Sequence, residues 1–371
     1  MAECNICGAS SRLISSALNL CRECLVRRPE EARPLAEEAH RRARRRFSLP
    51  PTPPAAGEEC RRCGNACRIP AGERGYCGLM ENREGNLRLL APVGRGFLSW
   101  YHDALPTNCV ASWVCPAETG AGYPEYAHMD GPEFGYRNLA VFYHSCTFDC
   151  LFCQNVHFRG RYLQGATSAE ELAGAVDGRT ACICFFGGDP ASQMEHSLAA
   201  ARRALREART RGCLLRICWE TNGSTAPRLA RQMAKLALES GGTVKLELKA
   251  ADDNLHRALA GVSNRQSWDN LAFLAAEAGR RPVPPPLVVS TLLVPGYVEE
   301  EEVGAIAGRL ASYDEDIPYS LLAFYPCHQM ADLPTTARGH AERAVAAARA
   351  AGLRRVHLAN RHLLVYPEYD T

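Results

Sequence analysis

Cys146, Cys150 and Cys153 lie in the run His144-Ser-Cys-Thr-Phe-Asp-Cys-Leu-Phe-Cys-Gln-Asn155, a C-x3-C-x2-C spacing with aromatic Phe152 before the last thiol. Three closely spaced thiolates can hold three irons of a cubane [4Fe–4S] cluster, whereas a closed cluster takes four. The remaining iron then stays open to ligands, by the logic that separates catalytic from structural zinc sites. An open iron can chelate an amino and a carboxylate group together, such as those of S-adenosylmethionine (SAM). One electron from the cluster then breaks the sulfonium and yields a 5′-deoxyadenosyl radical, cofactor chemistry that a protein positions and shields. The alternatives are a zinc knuckle or three unrelated buried thiols, and motifs farther along the chain weigh against both.

Two more thiol sets have ligand spacing. Cys4-Asn-Ile-Cys7 and Cys21-Arg-Glu-Cys24 are C-x2-C knuckles separated by thirteen residues, able to place four thiolates tetrahedrally around zinc. Cys60, Cys63, Cys67 and Cys77 form a second complete set, C-x2-C-x3-C-x9-C. Zinc is the favoured occupant there and an auxiliary iron–sulfur cluster its rival, because four-cysteine clusters tolerate irregular spacing. Cys109 and Cys115, in a Gly- and Pro-rich stretch, read as two free thiols without a role.

The 371 residues suffice for one large domain plus small modules. Charged residues are 23% and the net charge is +2, so overall charge argues neither for nucleic acid nor for a membrane surface. No apolar run approaches a membrane span, and the N-terminus lacks a signal-peptide pattern. Eighteen cysteines would suit a disulfide scaffold only in a short secreted chain; here their metal-ligand spacing implies a reducing, cytoplasmic setting. Arginine is abundant while lysine occurs only at 235, 245 and 249, which makes each retained lysine notable.

Four zones follow from these patterns: a zinc-ribbon-like module at 1–30, a charged helix and Pro-rich linker at 31–58, a Cys4 accessory region at 59–135, and a β/α domain at 136–371. In zone 31–58, acids come early and Arg41, Arg42, Arg44, Arg45 and Arg46 come late, which suits a helix dipole and reads as a solvated helix before a stiff linker. The last zone alternates apolar strands with helical periodicity. Strands are predicted at 138–143, 181–186, 214–219, 243–248, 287–294, 319–324 and 354–358, with helices over 192–211, 227–239, 299–312 and 335–351.

The unusual residues fall at the carboxyl ends of those strands. The cysteine loop follows the first, Gly187-Gly188-Asp189-Pro190 the second and Glu220-Thr221-Asn222-Gly223 the third. Glu247-Leu248-Lys249, Val294-Pro295-Gly296 and Tyr325-Pro326-Cys327-His328 end the next three. Such placement builds an active site on a β/α barrel. Gly187 and Gly188 let backbone approach a ligand, so carbonyls and Asp189 can receive the methionine ammonium. Asn222 can bond adenosine hydroxyls, and Lys249 can pair with the methionine carboxylate as a point charge.

From about Asn138 to Asn360 the chain resembles radical SAM proteins of the pyruvate formate-lyase activating enzyme type. The resemblance rests on Cys153-Gln154-Asn155, Gly-Gly-Asp-Pro, Thr221-Asn222-Gly223, Leu248-Lys249, Leu259-Ala-Gly261-Val262-Ser263-Asn264 and Leu292-Leu-Val294-Pro295-Gly296. Asp189 stands where that family usually has Glu, and Glu247 where Asp is usual. The resemblance implies an α/β fold, a partial (β/α)6 TIM-type barrel, that binds SAM and a [4Fe–4S] cluster. It also implies a reductant such as ferredoxin or flavodoxin, and a protein or peptide substrate from which hydrogen is abstracted. A radical SAM enzyme acting on RNA or a small metabolite is the second reading, with nucleic acid less favoured. A non-catalytic iron–sulfur or zinc adaptor is the third. Because every SAM motif falls after Asn138, residues 1–58 are expected to be dispensable for SAM cleavage.

Overall fold

The computed structural model describes residues 1–369. Its main sheet has nine strands. They are β1 (Arg95–Ala104), β2 (Arg137–Tyr143), β3 (Ala166–Ser168), β4 (Thr180–Gly187), β5 (Arg216–Thr221), β6 (Val244–Glu247), β7 (Leu287–Leu293), β8 (Tyr319–Ala323) and β9 (Val356–Ala359). From β2 through β9 the seven core strands pair in parallel, in chain order once β3 is set aside. The sheet does not close, since β9 and β3 are its two edges. This is the expected partial barrel. Stretches of the strands are apolar on both faces, as with Leu139–Val141 and 287–289, because helices cover the outside and side chains fill the inside.

The covering helices are α3 (Ala169–Gly174), α4 (Met194–Thr210), α5 (Pro227–Ser240), α6 (Asp253–Ala260), α7 (Arg265–Ala278), α8 (Glu300–Ala311) and α9 (Arg338–Ala350), preceded near the N-terminus by α1 (Arg22–Arg27) and α2 (Pro29–Arg45). Each long predicted helix is present within a few residues of its expected limits. Strand β1 was not expected. It lies antiparallel to β2 over seven residue pairs, Leu98↔Tyr143 to Ala104↔Arg137. Residues 105–135 then return to the opposite end of the barrel, where buried Glu133 accepts from Nη1 and Nη2 of Arg216 of β5. No helix among the described residues is long and apolar enough to cross a membrane.

The N-terminal zones differ from their expected independence. Helix α2 buries Ala32, Ala36, Ala39 and Ala43, a stripe at i, i+4, i+7 and i+11 that packs toward α6. His40 and Arg44, on the same side, are buried as well. The abundant charges of this segment suggested a solvated helix, but alanine supplies an apolar face without announcing it in composition. Residues 13–20 dock on the barrel mouth: Tyr297 Oη accepts from Ser15 N at 2.9 Å and donates to Leu20 O at 3.0 Å. A Cβ on Gly296, whose φ is +77°, would overlap the Leu13 carbonyl. The Val294-Pro295-Gly296 turn, expected as a wall of the site, therefore receives the N-terminal module instead.

Candidate active site

One cavity of about 440 Å³ runs along the strand ends and into the barrel. Cys146, Cys150, Cys153, Gly187, Gly188, Asp189, Asn222 and Lys249 all line it. Every residue expected to hold the cluster or SAM is thus brought together.

The three thiols fit a cluster better than a single ion. Among the described residues, only Cys4, Cys7, Cys21 and Cys24 bring three or more ligand atoms within 4.8 Å of one another. Zinc, at about 2.3 Å from each sulfur, would draw thiolates to roughly 3.8 Å apart; a cubane puts each thiolate on a different iron and spreads them. The Phe148 amide donates to Cys146 Sγ at 3.3 Å, and Asn222 Nδ2 lies 3.8 Å from the same sulfur. Burial raises all three thiols above their usual range. Asp189 and Cys150 add to the effect at Cys146, whereas Lys249 opposes it at Cys150, whose value is about 12.

The loop between those cysteines is held from below by charge. Asp149 is fully buried and accepts from Arg159 Nη1 through Oδ1. His40 Nδ1 lies 2.8 Å from its Oδ2, and Arg44 Nη1 lies 3.6 Å from Oδ1. Burial alone would raise the carboxyl, but Arg159, His40 and Arg44 outweigh it and hold Asp149 well below the usual carboxylate range.

From above, backbone meets backbone. Gly188 N donates to Tyr143 O at 2.9 Å and Asp189 N to Ser145 O at 2.7 Å. A Cβ on Gly188 would overlap the Ser145 carbonyl. The glycine is needed for close approach to the cysteine loop, not to a ligand as the sequence suggested. Gly188→Ala is accordingly expected to displace Ser145 and Cys146. Purified variant protein should keep its helical circular dichroism while its reconstituted iron falls well below wild type.

Asp189 Oδ1 accepts from Ala191 N at 2.6 Å and Thr221 Oγ1 at 3.0 Å, and its Oδ2 accepts from Asn222 N at 2.6 Å. Burial nevertheless lifts it to about 6. One lone pair of Oδ2 remains for a ligand donor. Asn222 Nδ2 donates to Thr147 Oγ1 at 2.9 Å and its Oδ1 accepts from Ser224 N at 2.9 Å, so the amide supports the cysteine loop. Lys249 is paired with Glu247 and stands 5.8 Å from the Phe152 ring centre. Burial works against its charge, but Glu247 and then Cys150 overcome this and hold the ammonium above its usual range.

Residues 140–307 match the family model described as the Radical SAM superfamily. These residues form a radical SAM domain. The chain is 27% identical over 192 residues to the pyruvate formate-lyase 1-activating enzyme of Escherichia coli K12, covering 51% of this chain and 72% of that one. It is 31% identical over 144 residues to the isethionate sulfite-lyase activating enzyme of Oleidesulfovibrio alaskensis, covering 38% and 41%. Among solved structures, a domain of pyruvate-formate lyase-activating enzyme from Bacteroides vulgatus aligns with 48% of this chain and 99% of its own, at 16% identity and TM-score 0.36. SuiB of Streptococcus suis bound to precursor peptide SuiA aligns with 59% and 47%, at 13% identity and TM-score 0.44. The chain is an enzyme whose residues 140–307 match that superfamily.

Around the radical SAM domain the other thiols divide by geometry. The Cys4, Cys7, Cys21 and Cys24 sulfurs lie within 4.8 Å of one another, and Cys7 and Cys21 are 3.8 Å apart, a closed set that can hold a metal ion. Cys60, Cys63, Cys67 and Cys77 line one small cavity with Thr147, yet no three of them close to that distance. Spacing favoured zinc for this set, with an auxiliary iron–sulfur cluster as its rival. The region also touches the cysteine loop: Asn65 Nδ2 donates to Thr147 O at 2.7 Å, and Ser145 Oγ donates to Cys77 O at 2.9 Å.

Sequence reasoning missed Asp149, Arg159, His40 and Arg44, although an acid inside the apolar Phe-Asp-Cys-Leu-Phe run was a signal. It also missed Lys245, whose Nζ lies inside the barrel 3.0 Å from Cys184 Sγ. The scarcity of lysine had marked it.

Proposed function

We propose that this enzyme binds SAM against a [4Fe–4S] cluster held by Cys146, Cys150 and Cys153, and abstracts hydrogen from a protein or peptide substrate. The convergence of the three thiols with Gly187, Gly188, Asp189, Asn222 and Lys249 in one cavity carries the reading. When bound and reduced, the cluster supplies the electron that cleaves SAM. Lys249 offers the methionine carboxylate an ammonium, Asp189 keeps one acceptor site for the methionine amine, and Asn222 keeps the cysteine loop in register. Cys4, Cys7, Cys21 and Cys24 hold structural zinc, and the wider set from Cys60 to Cys77 suits an auxiliary cluster. A protein substrate is supported by the relatives, whose names make each the activator of another enzyme.

Part of the basic run that would serve RNA is engaged within the protein. Arg44 is buried on Asp149, Arg42 donates to the Ala17 carbonyl at 2.9 Å, and Arg41 is paired with Glu38. Arg45 and Arg46 stay exposed.

Lys249→Ala should weaken SAM binding by about 1.5–3 kcal/mol, the range for a hydrogen bond to a charged group. Lys249→Arg should restore it only partly, because a planar fork replaces a compact ammonium. Equilibrium dialysis with the reconstituted variants reads both.

The substrate class is tested by isotope. Reconstituted enzyme, SAM and reductant are mixed with the macromolecular fraction of fully deuterated source cells, and deuterium in 5′-deoxyadenosine is measured. Transfer that protease destroys and ribonuclease spares supports the proposal. Transfer sensitive to ribonuclease, or found only with the small-molecule filtrate, contradicts it.

A further inference from the structure

Beneath the radical SAM site the same cavity reaches a floor lined by Cys109, Cys115, Cys182, Cys184 and Cys218 together with Lys245. The gathering comes from distant parts of the chain. Cys184 of β4 and Cys218 of β5 are register partners on adjacent parallel strands, and both line the interior. Cys109 and Cys115 arrive on the 105–135 segment, which the Glu133–Arg216 ion pair fastens to β5. From β6, Lys245 Nζ lies 3.0 Å from Cys184 Sγ, 3.3 Å from Cys109 Sγ and 3.4 Å from Glu220 Oε2. One ammonium therefore spans a strand thiol and a segment thiol. Cys182 stands aside, its thiol donating to Asn138 Oδ1 at 3.4 Å.

We propose that Cys109, Cys115, Cys184 and Cys218 hold a further iron–sulfur cluster on the barrel floor. Four thiolates are the complete ligand set of both two-iron and four-iron clusters. Their separation is wider than one zinc ion requires, since no three of the sulfurs close to within 4.8 Å. Glu220 supplies Lys245 one counter-charge, and the ammonium still sits against two of the thiols. Buried apolar thiols need no counter-charge, whereas a thiolate-ligated cluster is an anion whose burial calls for one. Lys245 is 3% exposed and its ammonium contacts two of the four sulfurs. The site shares no ligand with Cys146, Cys150 and Cys153, so it stands or falls separately from the SAM-cleaving cluster.

Full-length protein is reconstituted anaerobically with ferrous iron and sulfide, and both are quantified per chain. The C109A/C115A/C184A/C218A variant should lose two or four irons and an equal number of sulfides relative to wild type. Its SAM-cleaving cluster should persist in the electron paramagnetic resonance spectrum. The C146A/C150A/C153A variant should retain the floor cluster. A floor variant that folds, cleaves SAM and carries wild-type iron and sulfide overturns the proposal, as does loss of iron without sulfide or of zinc instead. Should the fourfold variant fail to fold, C109A/C115A leaves the strands untouched. That variant should lose the same iron and sulfide, and wild-type content in it contradicts the proposal equally.

Discussion

Asp149→Ala should destabilise the protein by about 3–5 kcal/mol, the usual cost of leaving a buried charge without its partner. The carboxylate is fully buried against Arg159, Arg44 and His40, and the two guanidinium groups have no second acid within their contacts. Its removal leaves two guanidinium groups desolvated beside the cysteine loop. Denaturant unfolding of the apoprotein reads the stability, and reconstituted iron reads the loop. The pH sign follows from the depressed carboxyl. Stability from this group is present above its ordinary value near 3.9 and is lost only as pH falls through the lower folded value. Asp149 should therefore contribute nothing to changes between pH 5 and 8.

Deleting residues 1–58 should abolish cluster retention, against the first expectation from motif order. The deletion removes His40 and Arg44 from Asp149 and strips the alanine face of α2 from α6. It also uncovers Gly296 and Tyr297, which hold residues 13–20. A truncated protein that retained wild-type iron and SAM cleavage would mean that the contacts beneath the loop are dispensable. Loss of both in the truncation, with Asp149→Ala matching it, would join the N-terminal helix to the catalytic unit.

The barrel was legible because buried parallel strands are short apolar runs bounded by turn residues, and all seven such runs became strands. The cluster was legible because ligand spacing is local. What escaped the sequence depends on partners far along the chain. Gly188 was correctly singled out, yet the group it approaches is the Ser145 backbone, known only once β2 and β4 lie side by side. Cys109 and Cys115 carried no role in isolation, because the strand thiols and Lys245 that face them come from β4, β5 and β6. Helix α2 was misread because alanine is weakly apolar and its stripe was hidden among arginines and glutamates. For Gly188 the local pattern named the residue, and packing named what it touches.

The most direct measurement is SAM cleavage itself. Anaerobically reconstituted full-length protein, reduced with dithionite and given SAM, should release 5′-deoxyadenosine and methionine. The C146A/C150A/C153A variant should release none above the protein-free control. Equal release from both would contradict the assignment of those three cysteines to a SAM-cleaving cluster, and with it the enzyme described above.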